Sequence, residues 1–391
     1  MQIQPLSAQD KAAVGAMQAE TLALLKTLCR IPAPSHHEER RASFVRQWLE
    51  EAGAQGAYID EAKNVIYEMK GESDRLCVVM AHTDTVFPDL EPMEVREDGD
   101  LLMCPGVGDD TANLAALLTL VRHLIQTGFR PKKSYLFVAN ACEEGLGNLK
   151  GSRAVMDAYG DRVDAFWSLD GTLSGVCTRA VGSARYRITA RTCGGHSYAA
   201  FGNKNAIHAL AELIGALYRQ PVPHSPSGES RTTYNVGTIS GGTSVNTIAQ
   251  QAEMLYEYRS DSPGCLSVME KQLREILDAQ DHENVQWDVQ CVGLRPCGQE
   301  QPPQGQKALV QSALDAIERA TGERTIETSG STDCNIPLSR GVRSVCFGVY
   351  EGGGAHTREE WIRMSSLKAG MEAALMLLYA LDVLPDSKLL L

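Results

Sequence analysis

Apolar positions recur at helical spacing over 17–29 (MQAETLALLKTLC) and again over 39–53, so both stretches read as amphipathic helices. Two short, almost unbroken apolar runs follow, LCVVMAH at 76–82 and SYLFVANAC at 134–142, the pattern of strands buried on both faces. Between them TANLAALLTLVRHLIQTG reads as a helix that stops at Gly128, and AFWSLDG at 165–171 reads as a further strand. Strand and helix in alternation predict an α/β fold.

The pattern changes at about residue 178. Strand (ARYRITART), helix (NAIHALAELIGALYRQ), two strands (TTYNVGTIS, QAEMLYEYRS), helix (CLSVMEKQLREILDAQ) and strand (VQWDVQCVG) give the β-α-β-β-α-β order of a ferredoxin-like unit. Pro296, Pro302 and Pro303 mark its exit, after which KALVQSALDAIERATG, SVCFGVY and SSLKAGMEAALMLLYALDVL return to helix, strand and helix. The organisation expected is a larger α/β domain in two parts, 1–177 and 296–391, with a small α+β domain inserted at 178–295.

Composition narrows the class. Of 391 residues 43% are hydrophobic and 22% charged, which excludes a disordered chain. The formal charge of −12, without a basic block, argues against nucleic acid as a partner. The eleven cysteines are odd in number and form no CxxC pair, so they read as free thiols of a reducing compartment. The opening MQIQPLSAQDKAAV lacks a signal peptide's basic start and apolar stretch, and no run reaches the ~18 apolar residues of a membrane helix. The expectation is a cytoplasmic protein that does not engage membranes.

Chemistry collects where strands end. His82 and Asp84 close the first apolar strand, Asp109 and Asp110 sit between a glycine-rich turn and a helix, and Glu143 and Glu144 follow the next strand. Asp170 ends a fourth segment, and His356 stands in the glycine-rich loop GGGAHTRE. Singly, each has a plainer reading: a core histidine, a pair of helix caps, a solvated acid. Together they supply mixed imidazole and carboxylate donors suited to two divalent ions of the zinc type. His36 and His37 in IPAPSHHEE read as solvated.

HTDTV at 82–86, GVGDD at 106–110, CEEGLG at 142–147, LDG at 169–171 and AHT at 355–357 resemble the M20 metallopeptidases, and 331–361 resembles their tripeptidase branch. The resemblance implies a zinc-peptidase catalytic domain, a mixed sheet flanked by helices, with the inserted domain as a lid and dimerisation element. It implies two metal ions, zinc first with cobalt or manganese as alternatives. His82 and Asp170 would hold one ion, Glu144 and His356 the other, and Asp109 both. Glu143 would be the general acid/base toward a metal-bridged water, Asp84 would orient His82, and His196 of the lid would help bind the oxyanion. Asn246 and Arg259 would contact substrate, and the molecule would be a homodimer through the lid. Many relatives carry a lysine just after the bridging Asp and its neighbour; here the chain reads Asp110-Thr111-Ala112-Asn113.

The activity implied is release of the N-terminal residue from short peptides. The alternative is an N-acyl-amino-acid amidohydrolase or a carboxypeptidase-like enzyme, with Arg259 on the carboxylate. Nucleotide binding is disfavoured because the third glycine of a fingerprint starting at Gly145 would fall on Lys150. A dimetal phosphoesterase fits the Glu143–Glu144 pair less well, and a non-catalytic peptide-binding protein would have lost Glu143 or a ligand.

Overall fold

From Leu76 to His82 every residue of the strand Ser73–His82 is buried. Alternate side chains of that strand feed two different cores. Cys77, Val79 and Ala81 join one cluster, packed with Leu25 and Leu28, Leu117 and Val121, Leu309 and Ala313, and Leu375 and Leu378 of four helices. Leu76, Val78 and Met80 join the other, packed with Val155, Met156, Ile336 and Leu338. A strand covered on both faces has no use for polar alternation, which is why its sequence is an unbroken apolar run.

The structure is a computed structural model that describes residues 3–226 and 228–387. The first two and last four positions, expected to belong to the catalytic part, and Ser227 in the inserted part lie outside the described residues. The chain forms two compact units, one running to Ala180 and resuming at Gln301, the other spanning Val181–Glu300. Both boundaries fall a few residues later than the sequence pattern suggested. The strand Gly175–Ala180 pairs with Ile326–Gly330 and Arg343–Cys346, so it belongs to the larger unit.

In the larger unit an eight-stranded mixed sheet runs in the order Tyr58–Ile59, Val65–Met69, Lys133–Asn140, Ser73–His82, Val163–Ser168, Arg343–Cys346, Gly175–Ala180, Ile326–Gly330. Lys133–Asn140, Ser73–His82, Val163–Ser168 and Arg343–Cys346 are mutually parallel, so their C-terminal ends share one edge. At the opposite ends lies a buried ionic cluster. Lys133 Nζ is 2.7 Å from Asp164 Oδ2, Arg343 Nη2 donates to the same oxygen, and the amide and hydroxyl of Ser387 each donate to Oδ1 at 2.8 Å. Helices Ala8–Cys29, Asn113–Gln126, Gln306–Thr321 and Ser366–Val383 cover one face, and Lys150–Tyr159 and Asn335–Ser339 the other. The first helix starts well before the periodic stretch, because Ser7 and Asp10 cap it reciprocally.

The smaller unit builds a sheet in the order Thr232–Gly241, Gln251–Ser260, Gly182–Arg191, Gln286–Arg295, antiparallel throughout. Helices Ala206–Tyr218 and Pro263–Asp278 lay Leu210, Leu213, Met269 and Leu273 on Ile188, Met254 and Tyr256. This is the ferredoxin-like order. Asn205 caps the first helix, and Ser262 with Pro263 opens the second. Ser183 and Arg295 are register partners, so the chain enters and leaves this unit through adjacent strand ends. Among the described residues no helix is long and apolar enough to cross a membrane.

Candidate metal centre

The shared edge of the parallel strands brings the acidic loops to His82. Its backbone N–H donates to Asp110 Oδ2 at 2.8 Å, and ring atom Nδ1 lies 2.9 Å from the backbone carbonyl of Asp84. A proton shared with that carbonyl leaves Nε2 as the lone-pair donor, and Nε2 faces Asp109 Oδ1 at 3.0 Å. Asp109 Oδ2 is 3.0 Å from His356 Nε2, which is in turn 3.1 Å from Glu144 Oε1. Donor atoms of His82, Asp109 and Asp170 lie within 4.8 Å of one another, as do those of Asp109, Glu144 and His356. Asp109 is common to both groups. Glu143 shares a third such group with His82 and Glu144.

The Asp84 side chain meets more than His82. It is 3.4 Å from His82 Nδ1, but its two oxygens accept the backbone N–H groups of Glu143 and Glu144, each at 3.0 Å. Ser35 adds a hydroxyl bond of 2.6 Å. One buried carboxylate therefore holds the backbone that carries both glutamates. Asp110, which the sequence presents as a helix cap, is fully buried between the His82 amide and Asn113. At Thr111, where the chain departs from the lysine of the family pattern, the hydroxyl lies 3.4 Å from the buried guanidinium of Arg41, which also donates to the Thr83 carbonyl at 2.8 Å. His36 is exposed, as read, yet its ring sits 3.4 Å from Cys142 Sγ.

The loop before Asp109 is tightly confined. Gly106 adopts φ 74°, and a Cβ on Gly108 would stand 2.4 Å from the Tyr350 hydroxyl oxygen. Glu360, which the sequence did not single out, accepts the N–H groups of Gly106, Gly108 and Asp109 at 2.7, 2.8 and 2.8 Å. Nothing local marks it, since these partners lie about 250 residues away in the chain.

Charge is crowded here. Burial, then the Asp109 carboxylate, pushes Asp170 up to about 7. Hydrogen bonds to Asp109 and Glu144 push His356 up to about 10. Burial opposes a charge on His82, but Asp110, Asp109 and Asp84 hold the imidazole well above its usual range. Two imidazoles thus face a surplus of carboxylates, an imbalance that divalent cations would offset.

The remaining candidates lie in the smaller unit. His196 and Asn246 come together, since Gly195–His196 pairs with Thr247–Ile248 and the Ser197 amide donates to the Asn246 carbonyl at 2.9 Å. Arg259, on another strand, makes a two-pronged contact with Glu257, Nε to Oε1 and Nη2 to Oε2, each at 3.0 Å.

Residues 78–380 match Peptidase family M20/M25/M40, and the chain belongs to that family. It is a metal-dependent hydrolase of that group. Among its relatives is the succinyl-diaminopimelate desuccinylase of Shewanella pealeana, 25% identical over 375 residues that cover 90% of this chain and 94% of the relative. A tripeptidase of Staphylococcus aureus superposes with a TM-score of 0.75 at 20% identity, covering 93% of this chain and 98% of that one. Aminopeptidase PepT of Bacillus cereus does so with 0.71 at 19% identity, covering 92% and 97%.

Proposed function

We propose that this protein hydrolyses the amide bond of short peptides and releases the N-terminal residue, using two bound metal ions and Glu143 as general acid/base. The observation that carries the proposal is that two donor groups share Asp109, with Glu143 grouped with His82 and Glu144 beside them. The residues fit the ions: each group combines an imidazole with carboxylates, and the two oxygens of Asp109 face His82 and His356, one each. In this reading His82 and Asp170 would hold one ion and Glu144 and His356 the other, and zinc would suit the donor set first, ahead of cobalt or manganese. When bound, the ions polarise the scissile carbonyl and acidify water for attack. Asp84 keeps the backbone of Glu143 and Glu144 in place through their amides. The Glu143 carboxylate takes the proton of the attacking water and delivers it to the departing amine. We assign the oxyanion to His196 and the substrate's backbone or carboxylate to Asn246 and Arg259; a carboxylate at Arg259 competes with Glu257 for the guanidinium.

Resemblance of the fold to a tripeptidase and an aminopeptidase supports the N-terminal assignment. A second reading, cleavage of N-acyl amino acids, is favoured by the desuccinylase similarity over nearly the whole chain. We also infer a homodimer through the smaller unit, supported by its exposed edge strand Thr232–Gly241, and a cytoplasmic setting, supported by eleven free cysteines. The deciding experiment offers a tripeptide, its N-acetyl form and its N-succinyl form to the Zn²⁺-loaded enzyme. Cleavage of the free peptide alone is expected; cleavage of only the capped forms would transfer the assignment to the acyl-amino-acid reading.

A further inference from the structure

We infer that Glu360 is a positioning residue that ties the bridging carboxylate of Asp109 to the loop bearing His356, and so sets the spacing of the two metal positions. The inference rests on the metal-site reading proposed above. Glu360 is 2% exposed and stands four residues after His356. Its Oε2 accepts from Gly106, and its Oε1 accepts from both Gly108 and Asp109. Three amides converging on one carboxylate leave the segment before Asp109 little freedom. The segment is also walled by Tyr350 at Gly108 and by Thr85 at Gly106, where a Cβ would lie 2.8 Å from Cγ2. The Glu360 backbone carbonyl accepts the Cys104 amide at 3.2 Å, so its main chain as well as its side chain is tied to the segment leading to Asp109. Thr357 N–H closes the His356 turn onto Gly354 at 3.0 Å.

A further carboxylate beside Asp109 is an expensive choice for a purely structural tie, because it adds negative charge where acids already crowd. The placement is chemically sensible if cations occupy the site and the tie needs an acceptor for three N–H donors at once. Glutamine cannot reproduce it: its one carbonyl oxygen serves one side, and its NH₂ group then faces an N–H on the other. Asp109 would lose its fixed angle, and the position made by Glu144 and His356 would suffer most, because His356 stands on the loop that Glu360 anchors.

The test is titration of metal-free protein with Co²⁺, followed by visible absorption and calorimetry, for wild type, Glu360→Gln and Asp164→Asn. Asp164 lies at the far ends of the strands and serves as a control for lost stability. Wild type and Asp164→Asn should each take up two ions per chain, whereas Glu360→Gln should keep one and bind the other about 10- to 100-fold more weakly. Retention of both ions at wild-type affinity by Glu360→Gln, or an equal loss in Asp164→Asn, would overturn the inference. If wild type itself fails to take up two ions, the metal-site reading falls with it. Should Glu360→Gln not fold, Glu360→Asp keeps the charge, draws the oxygens back by one methylene, and is judged by the same outcomes.

Discussion

Glu143 and Glu144 are adjacent in sequence, both buried, and each donates its backbone N–H to the Asp84 carboxylate, yet they are assigned different work. Glu144 reaches His356 at 3.1 Å and shares a donor group with Asp109, whereas among the described residues Glu143 is grouped with His82 and Glu144. Glu143→Gln preserves size and removes the basic oxygen. Turnover should fall by about 10²- to 10⁴-fold, with uptake of two ions unchanged in a calorimetric titration. Loss of one ion along with activity would make Glu143 a ligand instead. At this scale the strand-end acids were legible because an ionisable group after an apolar run is costly unless something receives it. Glu360 was not legible: its meaning lies in three amides brought to it by the fold.

The central strands were readable for the reason that makes them stable. Lys133–Asn140 and Val163–Ser168 are buried at every position, so their middles, Tyr135–Ala139 and Ala165–Trp167, are unbroken apolar runs, with the polar residues Lys133, Asp164 and Asn140 toward the ends. The marginal strands were not. Tyr58–Ile59 is exposed at both residues and Ile326–Gly330 at nearly all, and neither carries a pattern that separates strand from loop. The expected strand over SVCFGVY ends at Cys346, although Phe347 and Val349 remain buried, because burial of a loop and of a strand look alike in sequence. The ionic cluster at the opposite strand ends yields a stability prediction. Burial alone would raise the Asp164 carboxyl, but Lys133, the Ser387 amide and Arg343 hold it well below the usual carboxylate range. A depressed native value stabilises above the unfolded value, about 3.9, and this contribution is lost as pH falls through the native one. Asp164→Asn should cost about 3–5 kcal/mol at neutral pH, since it leaves buried cations without their counter-charge. In urea unfolding at stepped pH, the gap from wild type should narrow below about pH 4. A constant gap would mean that the carboxylate's charge is not what stabilises the cluster.

For the molecule as a whole, the division at Ala180 and Gln301 separates two cores with their own helices and sheets. A fragment of residues 181–300 should therefore fold alone, with a cooperative thermal transition by circular dichroism. The larger unit, rejoined by a short glycine linker, should still bind Co²⁺, because every donor in the two groups that share Asp109 belongs to it. Absence of a cooperative transition in the fragment would show that its core depends on the rest of the chain. The register partnership of Ser183 with Arg295 has a further consequence for how the chain reaches its final state. While residues 181–300 are unfolded, the larger unit must close a loop of about 120 residues, at an entropic cost of about 4 kcal/mol. Once they fold, the two ends are delivered side by side and that loop is already closed. Order in the insert is thereby passed to its host through chain connectivity, a coupling that needs no interface.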